Sequence, residues 1–226
     1  LAAIGMLDLA ELYVEPTSMG SGNLDVETAI VRVHPSGTVT VMLGTGSHGQ
    51  GVETTMAQVV AEYLGVDIED VVVVQGDTAT SPFGAGTGGS RTAVIAGGAA
   101  REAALEVRAK AVAIAAHLLE AAPEDLDVEA GRISVRGTPS RGVTIADVAR
   151  VALNSPGELP PDIGPGLEAT VSYEAPPITW SNACHVCTVE VDADTGRVEI
   201  LRYIVSEDCG VMINPMIVEG QVAGGV

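Results

Sequence analysis

Glu27-Thr-Ala-Ile-Val-Arg-Val-His-Pro-Ser-Gly-Thr-Val-Thr-Val-Met-Leu43 decides the fold class of this chain. Residues 27–33 alternate as a half-buried strand should, Pro35-Ser36-Gly37 is a turn signal, and residues 38–43 alternate again. So short a turn joins antiparallel neighbours, so the stretch predicts a β-hairpin and argues against a doubly wound parallel sheet. Gly44-Thr-Gly-Ser-His-Gly-Gln-Gly51 follows, with four glycines in eight residues. From residue 53 to 64 the apolar Met56, Val59, Val60, Tyr63 and Leu64 recur at helical spacing, and Gly65 suits the position just past a helix end. Hairpin, glycine loop and helix in succession predict an α+β fold, with mixed sheets and helices packed on one face.

The same plan extends along the chain. Residues 71–74 are an uninterrupted valine run and read as a buried strand. Gly84-Ala-Gly-Thr-Gly-Gly-Ser-Arg91 then feeds an alanine-rich helix over residues 92–121, closed by Pro123. Gly97 and Gly98 lie near its first turns, and Glu102, Glu106, Arg108 and Lys110 supply its polar side. Residues 126–128 and 132–135 read as a short hairpin, and residues 145–153 as a helix with Thr144 as N-cap. Residues 154–166 carry four prolines and three glycines, which places the domain boundary there. The expected division is a first subdomain over 1–153, a connection over 154–170, and the start of a second subdomain over 171–226. In the second part residues 185–191 and 197–205 alternate around the Asp192-Ala-Asp-Thr-Gly196 turn, Asp208-Cys-Gly210 ends the strand, and Pro215 opens a helix. Residues 29–41 resemble residues 187–200, which makes the two subdomains similar in plan, although two unrelated hairpins would read alike.

Composition narrows the function. With 226 residues, 46% of them hydrophobic and 18% charged, the chain can bury a core. Thirty acidic residues against 11 basic ones give a net charge of −19, which argues against nucleic acid and anionic membrane surfaces as partners. No apolar stretch approaches the roughly 20 residues that span a bilayer. Three cysteines, Cys184, Cys187 and Cys209, do not make a disulfide scaffold and fit a reducing, cytoplasmic location. The chain opens on Leu1 and stops at Ala223-Gly-Gly-Val226 inside an apolar run, which reads as an internal or near-C-terminal piece of a longer subunit. Such a piece should expose an apolar patch near residues 216–226 and tend to associate.

Two loops can carry chemistry. In residues 44–51 the glycines let backbone N–H groups approach a ligand at a helix N-terminus. No Lys-Ser/Thr follows and the glycine spacing is wrong for a dinucleotide fingerprint. His48 and Gln50 stand between the glycines, and a glutamine suits an edge-on hydrogen bond to a heterocycle. The same residues also read as an ordinary glycine-rich turn. In Thr87-Gly-Gly-Ser-Arg-Thr92 hydroxyls, N–H groups and a guanidinium suit a phosphate. Equally, Ser90 or Thr92 reads as a helix cap with Arg91 on the surface. Cys184-His185-x-Cys187 lacks the second pair that structural zinc needs, so no metal site is expected there.

Gly46-Ser-His-Gly-Gln-Gly-Val-Glu-Thr-Thr-Met-Ala-Gln58, Gln75-Gly-Asp-Thr78, Gly86-Thr-Gly-Gly-Ser-Arg91 and Glu207-Asp-Cys-Gly-Val-Met-Ile-Asn-Pro-Met-Ile-Val-Glu-Gly-Gln-Val222 occur in an order and spacing that carry a resemblance. Together with Val189-Glu-Val-Asp and Tyr13-Val-Glu-Pro16, they resemble the molybdopterin-binding large subunit of the xanthine dehydrogenase, aldehyde oxidase and aerobic carbon monoxide dehydrogenase family. The resemblance implies a molybdenum hydroxylase, which inserts water-derived oxygen into a C–H bond of an aldehyde or N-heterocycle, or oxidises carbon monoxide. It implies a molybdenum–molybdopterin cofactor, in bacteria usually a cytosine dinucleotide, lying between glycine-rich loops. Implied partners are the remainder of the large subunit, iron–sulfur and FAD subunits or domains, and a second copy in a homodimer. By resemblance, Gly49, Gln50 and Gly51, with His48 beside them, form the Gly-Gln-Gly loop that hydrogen-bonds the cofactor. Gly89, Ser90, Arg91 and Thr92 resemble the loop that binds its pterin and phosphates, and Gln221 resembles the glutamine that reaches the pterin. Asn214 and Pro215 shape the turn before it. The family's catalytic glutamate is expected beyond residue 226 and its substrate-side loop before residue 1. The piece is therefore expected to be inactive alone, its cofactor belonging to the full-length parent. The alternative is a non-catalytic assembly module derived from such a subunit.

Overall fold

In the computed structural model, residues 26–175 and 181–226 are described, and the Tyr13-Val-Glu-Pro16 motif lies outside them. Strands β1 (Val26–Val33) and β2 (Val39–Leu43) form the expected hairpin, paired from Ala29 opposite Leu43 to Val33 opposite Val39. The turn is closed by the His34 N–H donating to the Thr38 carbonyl at 2.8 Å. Ala29, Val31, Val33, Val39, Val41 and Leu43 all face the core, each nearly or fully buried. The valine and leucine side chains contribute about 1.5–3 kcal/mol apiece when fully buried, and a one-residue slip in register would turn the whole set to solvent. Helix α1 (Val52–Leu64) meets this face with Met56, Val59, Val60 and Leu64.

After α1 the chain enters β3 (Val71–Val74), which pairs parallel with β2. The valine run was expected to be a buried strand, but Val72 is 48% exposed. The reason is position: among the described residues the sheet order is β3-β2-β1-β7, which leaves β3 with a neighbour on one side only.

Helix α2 (Gly97–Leu119) is preceded by a π-helical turn at Thr92–Ala96, so the single helix expected over residues 92–121 is two conformations in series. It ends at Glu120, in a left-handed conformation, before Pro123 is reached. Small buried residues, including Gly98, Ala99, Ala100 and Ala103, let α2 lie close to β1 and β7. The approach is tightest at Gly98, where a Cβ would stand 2.3 Å from Cε1 of Tyr173.

Strands β4 (Leu126–Glu129) and β5 (Arg132–Val135) form the expected hairpin, and β6 (Thr138–Thr144) extends it to a three-stranded sheet. The third strand escaped the periodicity argument because Thr138-Pro-Ser-Arg141 is polar and exposed throughout. Helix α3 (Ile145–Asn154) starts in a capping box: the Asp147 N–H donates to Thr144 Oγ1 at 3.1 Å, and the Thr144 N–H donates to Asp147 Oδ2 at 3.0 Å. Strand β7 (Glu168–Glu174) then returns antiparallel to β1, so the first sheet takes in residues beyond the connection expected at 154–170.

In the second part β8 (Asn182–Val191) and β9 (Val198–Asp208) form an antiparallel ribbon, followed by α4 (Pro215–Gly225). Hairpin, loop and helix thus recur in the order of the first part. Asn214 caps α4, its Oδ1 accepting from the N–H groups of Met216 at 3.1 Å and Ile217 at 3.3 Å. The apolar patch expected at residues 216–226 is broader than that. Met216 is exposed, but Val218 is buried beside Cys209, and Val186, Val191, Ile200, Leu201 and Ile204 are exposed along the ribbon. Among the described residues no helix is long and apolar enough to cross a membrane.

Candidate functional site

The two glycine-rich loops, residues 44–51 and 84–91, come together. The Gly46 N–H donates to Thr87 Oγ1 at 3.2 Å, and the hydroxyls of Thr87 and Thr92 lie 3.3 Å apart. At their base the loops touch backbone to backbone: a Cβ on Gly84 would lie 2.7 Å from the Gly44 Cα. Beneath this crossing sits Glu27, fully buried. Its Oε2 accepts from Arg91 Nη1 at 3.0 Å. Arg91 also donates to the Gly86 carbonyl at 2.6 Å and the Val26 carbonyl at 3.2 Å. Burial pushes the Glu27 carboxyl above its ordinary range, while Arg91 pulls it back.

This arrangement engages part of the side-chain set of residues 87–92 within the protein. The Arg91 guanidinium is turned inward onto Glu27, and Thr92 is 2% exposed with its hydroxyl on Thr87. What loop 84–91 presents outward is backbone. Gly88, Gly89 and Ser90 are exposed, and a Cβ at Gly86, Gly88 or Gly89 would meet nothing within 4 Å.

In loop 44–51 His48 and Gly49 are exposed, and positions 46 and 49 are likewise open. Gln50 Oε1 accepts from the His48 N–H at 2.5 Å. The Gly51 carbonyl accepts from the Thr55 N–H at 3.0 Å and starts α1. Gly51 does not face open space: a Cβ there would stand 2.6 Å from Ile217 Cδ1 on α4. In the first turn of α1 its own backbone N–H holds the Glu53 carboxyl below its ordinary range, helped by Gln75 and Ser47. Thr45 Oγ1 donates to Gln75 Oε1 at 3.2 Å. A cleft of about 380 Å³ opens beside this network, lined by Gly44, Thr45, Asp77, Ser81, Phe83 and Gly84 among others.

Gln221 stands four residues beyond Ile217, on the same face of α4, and is half-buried. Since Ile217 rests on Gly51, the glutamine's helix is seated on the first loop. An amide pair fixes that seating. Asn214 Nδ2 donates to Gln58 Oε1 at 2.9 Å, and Gln58 Nε2 donates to the Ile213 carbonyl at 3.3 Å.

Sequence reasoning assigned no role to Glu27 or Gln58, and took Thr87 only as one hydroxyl of a phosphate loop, not as the contact between the two loops. For Glu27 a signal existed: it shares the strand phase of Ala29, Val31 and Val33, and a carboxylate in that phase needs a buried partner. Gln58 and Thr87 lie within the quoted motifs, but nothing local distinguishes them.

Among the described residues no group of three or more His, Cys, Asp or Glu side chains could hold a metal ion. Cys184 and Cys187 are exposed on the ribbon, and His185 Nδ1 lies 3.3 Å from the Tyr203 hydroxyl. The donor set of the loops, bare N–H groups and carboxamides, therefore suits an organic, hydrogen-bonding ligand rather than a bare ion.

The molybdopterin cofactor-binding domain family matches residues 10–226. The carbon monoxide dehydrogenase large chain of Afipia carboxidovorans is 43% identical over 200 residues, which cover 88% of this chain and 24% of that protein. The nicotine 6-hydroxylase large subunit of Paenarthrobacter nicotinovorans is 42% identical over 227 residues, 99% of this chain and 28% of that protein. The crystal structure of quinoline 2-oxidoreductase from Pseudomonas putida 86 superposes with a TM-score of 0.81 at 42% identity, over 88% of this chain and 25% of that one. The chain thus spans about a quarter of the length of these relatives.

Proposed function

The chain belongs to the molybdopterin cofactor-binding domain family, and from that premise we propose that it forms one wall of the cofactor site in the large subunit of a molybdenum hydroxylase, for the cytosine dinucleotide form of the cofactor. The observation that carries the proposal is the convergence of loops 44–51 and 84–91, with the Gln221 helix seated on the first of them. Bound there, the cofactor supplies two-electron redox chemistry toward an aldehyde, an N-heterocycle or carbon monoxide.

The chain's own residues bind and orient. The exposed backbone of Gly89 and Ser90 offers N–H donors on the second loop, while on the first the Gly49 N–H donates to Ser47 Oγ at 3.4 Å. With a net charge of −19, attraction for phosphate must come from such local donors rather than from the field of the whole protein. Gln50 has its carbonyl engaged by the His48 N–H, so its amide N–H groups are the ones to meet an acceptor on the pterin edge. Gln221 approaches from α4. Gly51, Arg91 and Thr92 act by shaping the loops, because their groups are turned inward or packed.

The remaining partners follow from the same reading: the rest of the large subunit, iron–sulfur and FAD subunits, and a second copy, in the cytoplasm. The exposed apolar ribbon β8–β9 is the surface such neighbours would cover. The chain alone should show no turnover. The test is Gln50→Ala with Gln221→Ala in the product of the complete gene, with molybdenum measured by elemental analysis and the pterin nucleotide by mass spectrometry. A loaded wild type and a depleted double variant are expected. Normal molybdenum in the double variant would overturn the residue assignment, and an empty wild type under cofactor-sufficient expression would favour a non-catalytic assembly module.

A further inference from the structure

We infer that the buried Glu27–Arg91 pair is a latch that sets the spacing of the two glycine loops, which makes Glu27 a positioning residue for the cradle; the inference rests on the reading of the loops just given. Glu27 is rooted in β1, opposite Tyr173 of β7, and is fully buried. Both loops cross its carboxyl at one point. A Cβ on Gly84 would lie 1.7 Å from Glu27 Oε1, and one on Gly44 would lie 2.5 Å from the same atom. Only glycines allow the carboxylate to touch both backbones at once.

Arg91 completes the latch from above. One guanidinium reaches Glu27 Oε2, the Gly86 carbonyl and the Val26 carbonyl together. It thereby ties an early point of the second loop, the end of that loop and the first strand of the sheet. A planar fork with several fixed donors does this, whereas a lysine ammonium is a single point charge.

The geometry of the loop follows. With Gly86 and Arg91 drawn together, the residues between them arch outward. Gly89 and Ser90 both have φ of 60°, and for serine that conformation is disfavoured unless its surroundings impose it. The arch exposes the backbone of Gly88, Gly89 and Ser90, the last two assigned above to the cofactor. A buried ion pair is a poor source of stability compared with packed apolar groups, but it is directional, and direction is what loop spacing requires.

Amide hydrogen exchange on the full-length subunit, prepared without cofactor, reads the latch independently of any ligand. Glu27→Ala and Arg91→Lys should speed exchange about tenfold across residues 44–51 and 84–91, with α1 and α2 as protected as in wild type. The same variants, expressed with cofactor available, should lose most of their molybdenum and pterin nucleotide. Glu27→Gln keeps the side-chain shape without the charge and decides the matter by the same exchange criterion if Glu27→Ala fails to fold. Faster exchange in loop 84–91 alone, in neither loop, or equally throughout α2 would overturn the latch. A wild-type subunit that never carries cofactor would overturn the proposed function, while the exchange result would still decide the latch.

Discussion

Gly98→Ala should destabilise the wild-type chain and stabilise the same chain once Tyr173 is truncated. Gly98 lies in the first turns of α2, and replacing a helical glycine by alanine contributes about 1 kcal/mol of stability when nothing interferes. Here something does. The added Cβ would stand 2.3, 2.7 and 2.8 Å from Cε1, Cδ1 and Cζ of Tyr173, more than 1 Å inside ordinary contact at Cε1. The ring is rigid and moves only as a unit, or else α2 must lift from β7. Overpacking of this kind costs about 1–3 kcal/mol, and the depth of the overlap places it in the upper part of that range. The net loss is therefore about 1–2 kcal/mol, or about 3–6 °C in melting temperature for a chain of this length. In a Tyr173→Ala background the obstruction is gone and the helix-propensity gain of about 1 kcal/mol should appear as a rise of about 2–4 °C. The coupling between the two sites is then about 2–3 kcal/mol. Urea and thermal unfolding of the four proteins in the cycle measure it. Stabilisation by Gly98→Ala in both backgrounds would refute the claim that close helix–strand approach is what requires glycine here.

Three further outcomes follow from the α3 cap and the loop–helix contact. Asp147 titrates below its ordinary value because the Thr144 side chain, then the Thr144 N–H, bond its carboxylate, with Arg150 nearby. A carboxylate with a lowered folded pKa contributes stability above its unfolded pKa of about 4 and loses it as pH falls through the folded value. Asp147→Asn should therefore flatten the acid limb of a melting-temperature profile below about pH 4, while Thr144→Ala should cost about 1 kcal/mol near neutrality. Gly51→Ala combines φ of 78° with a Cβ placed 2.6 Å from Ile217 Cδ1. It should cost about 2 kcal/mol by urea unfolding, and Ile217→Val should restore only the part due to the clash, not the part due to the left-handed backbone. Full restoration, or none, would contradict that division.

Much of this protein is legible from short-range pattern. The β1–β2 hairpin, α1 ending at Gly65, α3 capped by Thr144 and the Asn-Pro start of α4 each depend on residues within about one turn of one another, and the structure contains all four. The glycine loops were legible as glycine loops for the same reason. Their joint use was not. Glu27 and Arg91 are 64 residues apart, Gly46 and Thr87 are 41 apart, and Gln58 and Asn214 are 156 apart. No periodicity spans such distances, so the sequence could place Arg91 beside a phosphate, or leave it on the surface, with equal ease. The same holds for β3, whose valines suit a buried strand until the sheet order among the described residues leaves it at the edge. Local spacing determines which segments become strands, helices and turns because backbone hydrogen bonding and side-chain periodicity act over a few residues. Which face is covered, which carboxylate is buried and which loop meets which helix are decided only when α1, α2 and α4 pack against the rest, since that packing chooses among partners the local pattern leaves equivalent.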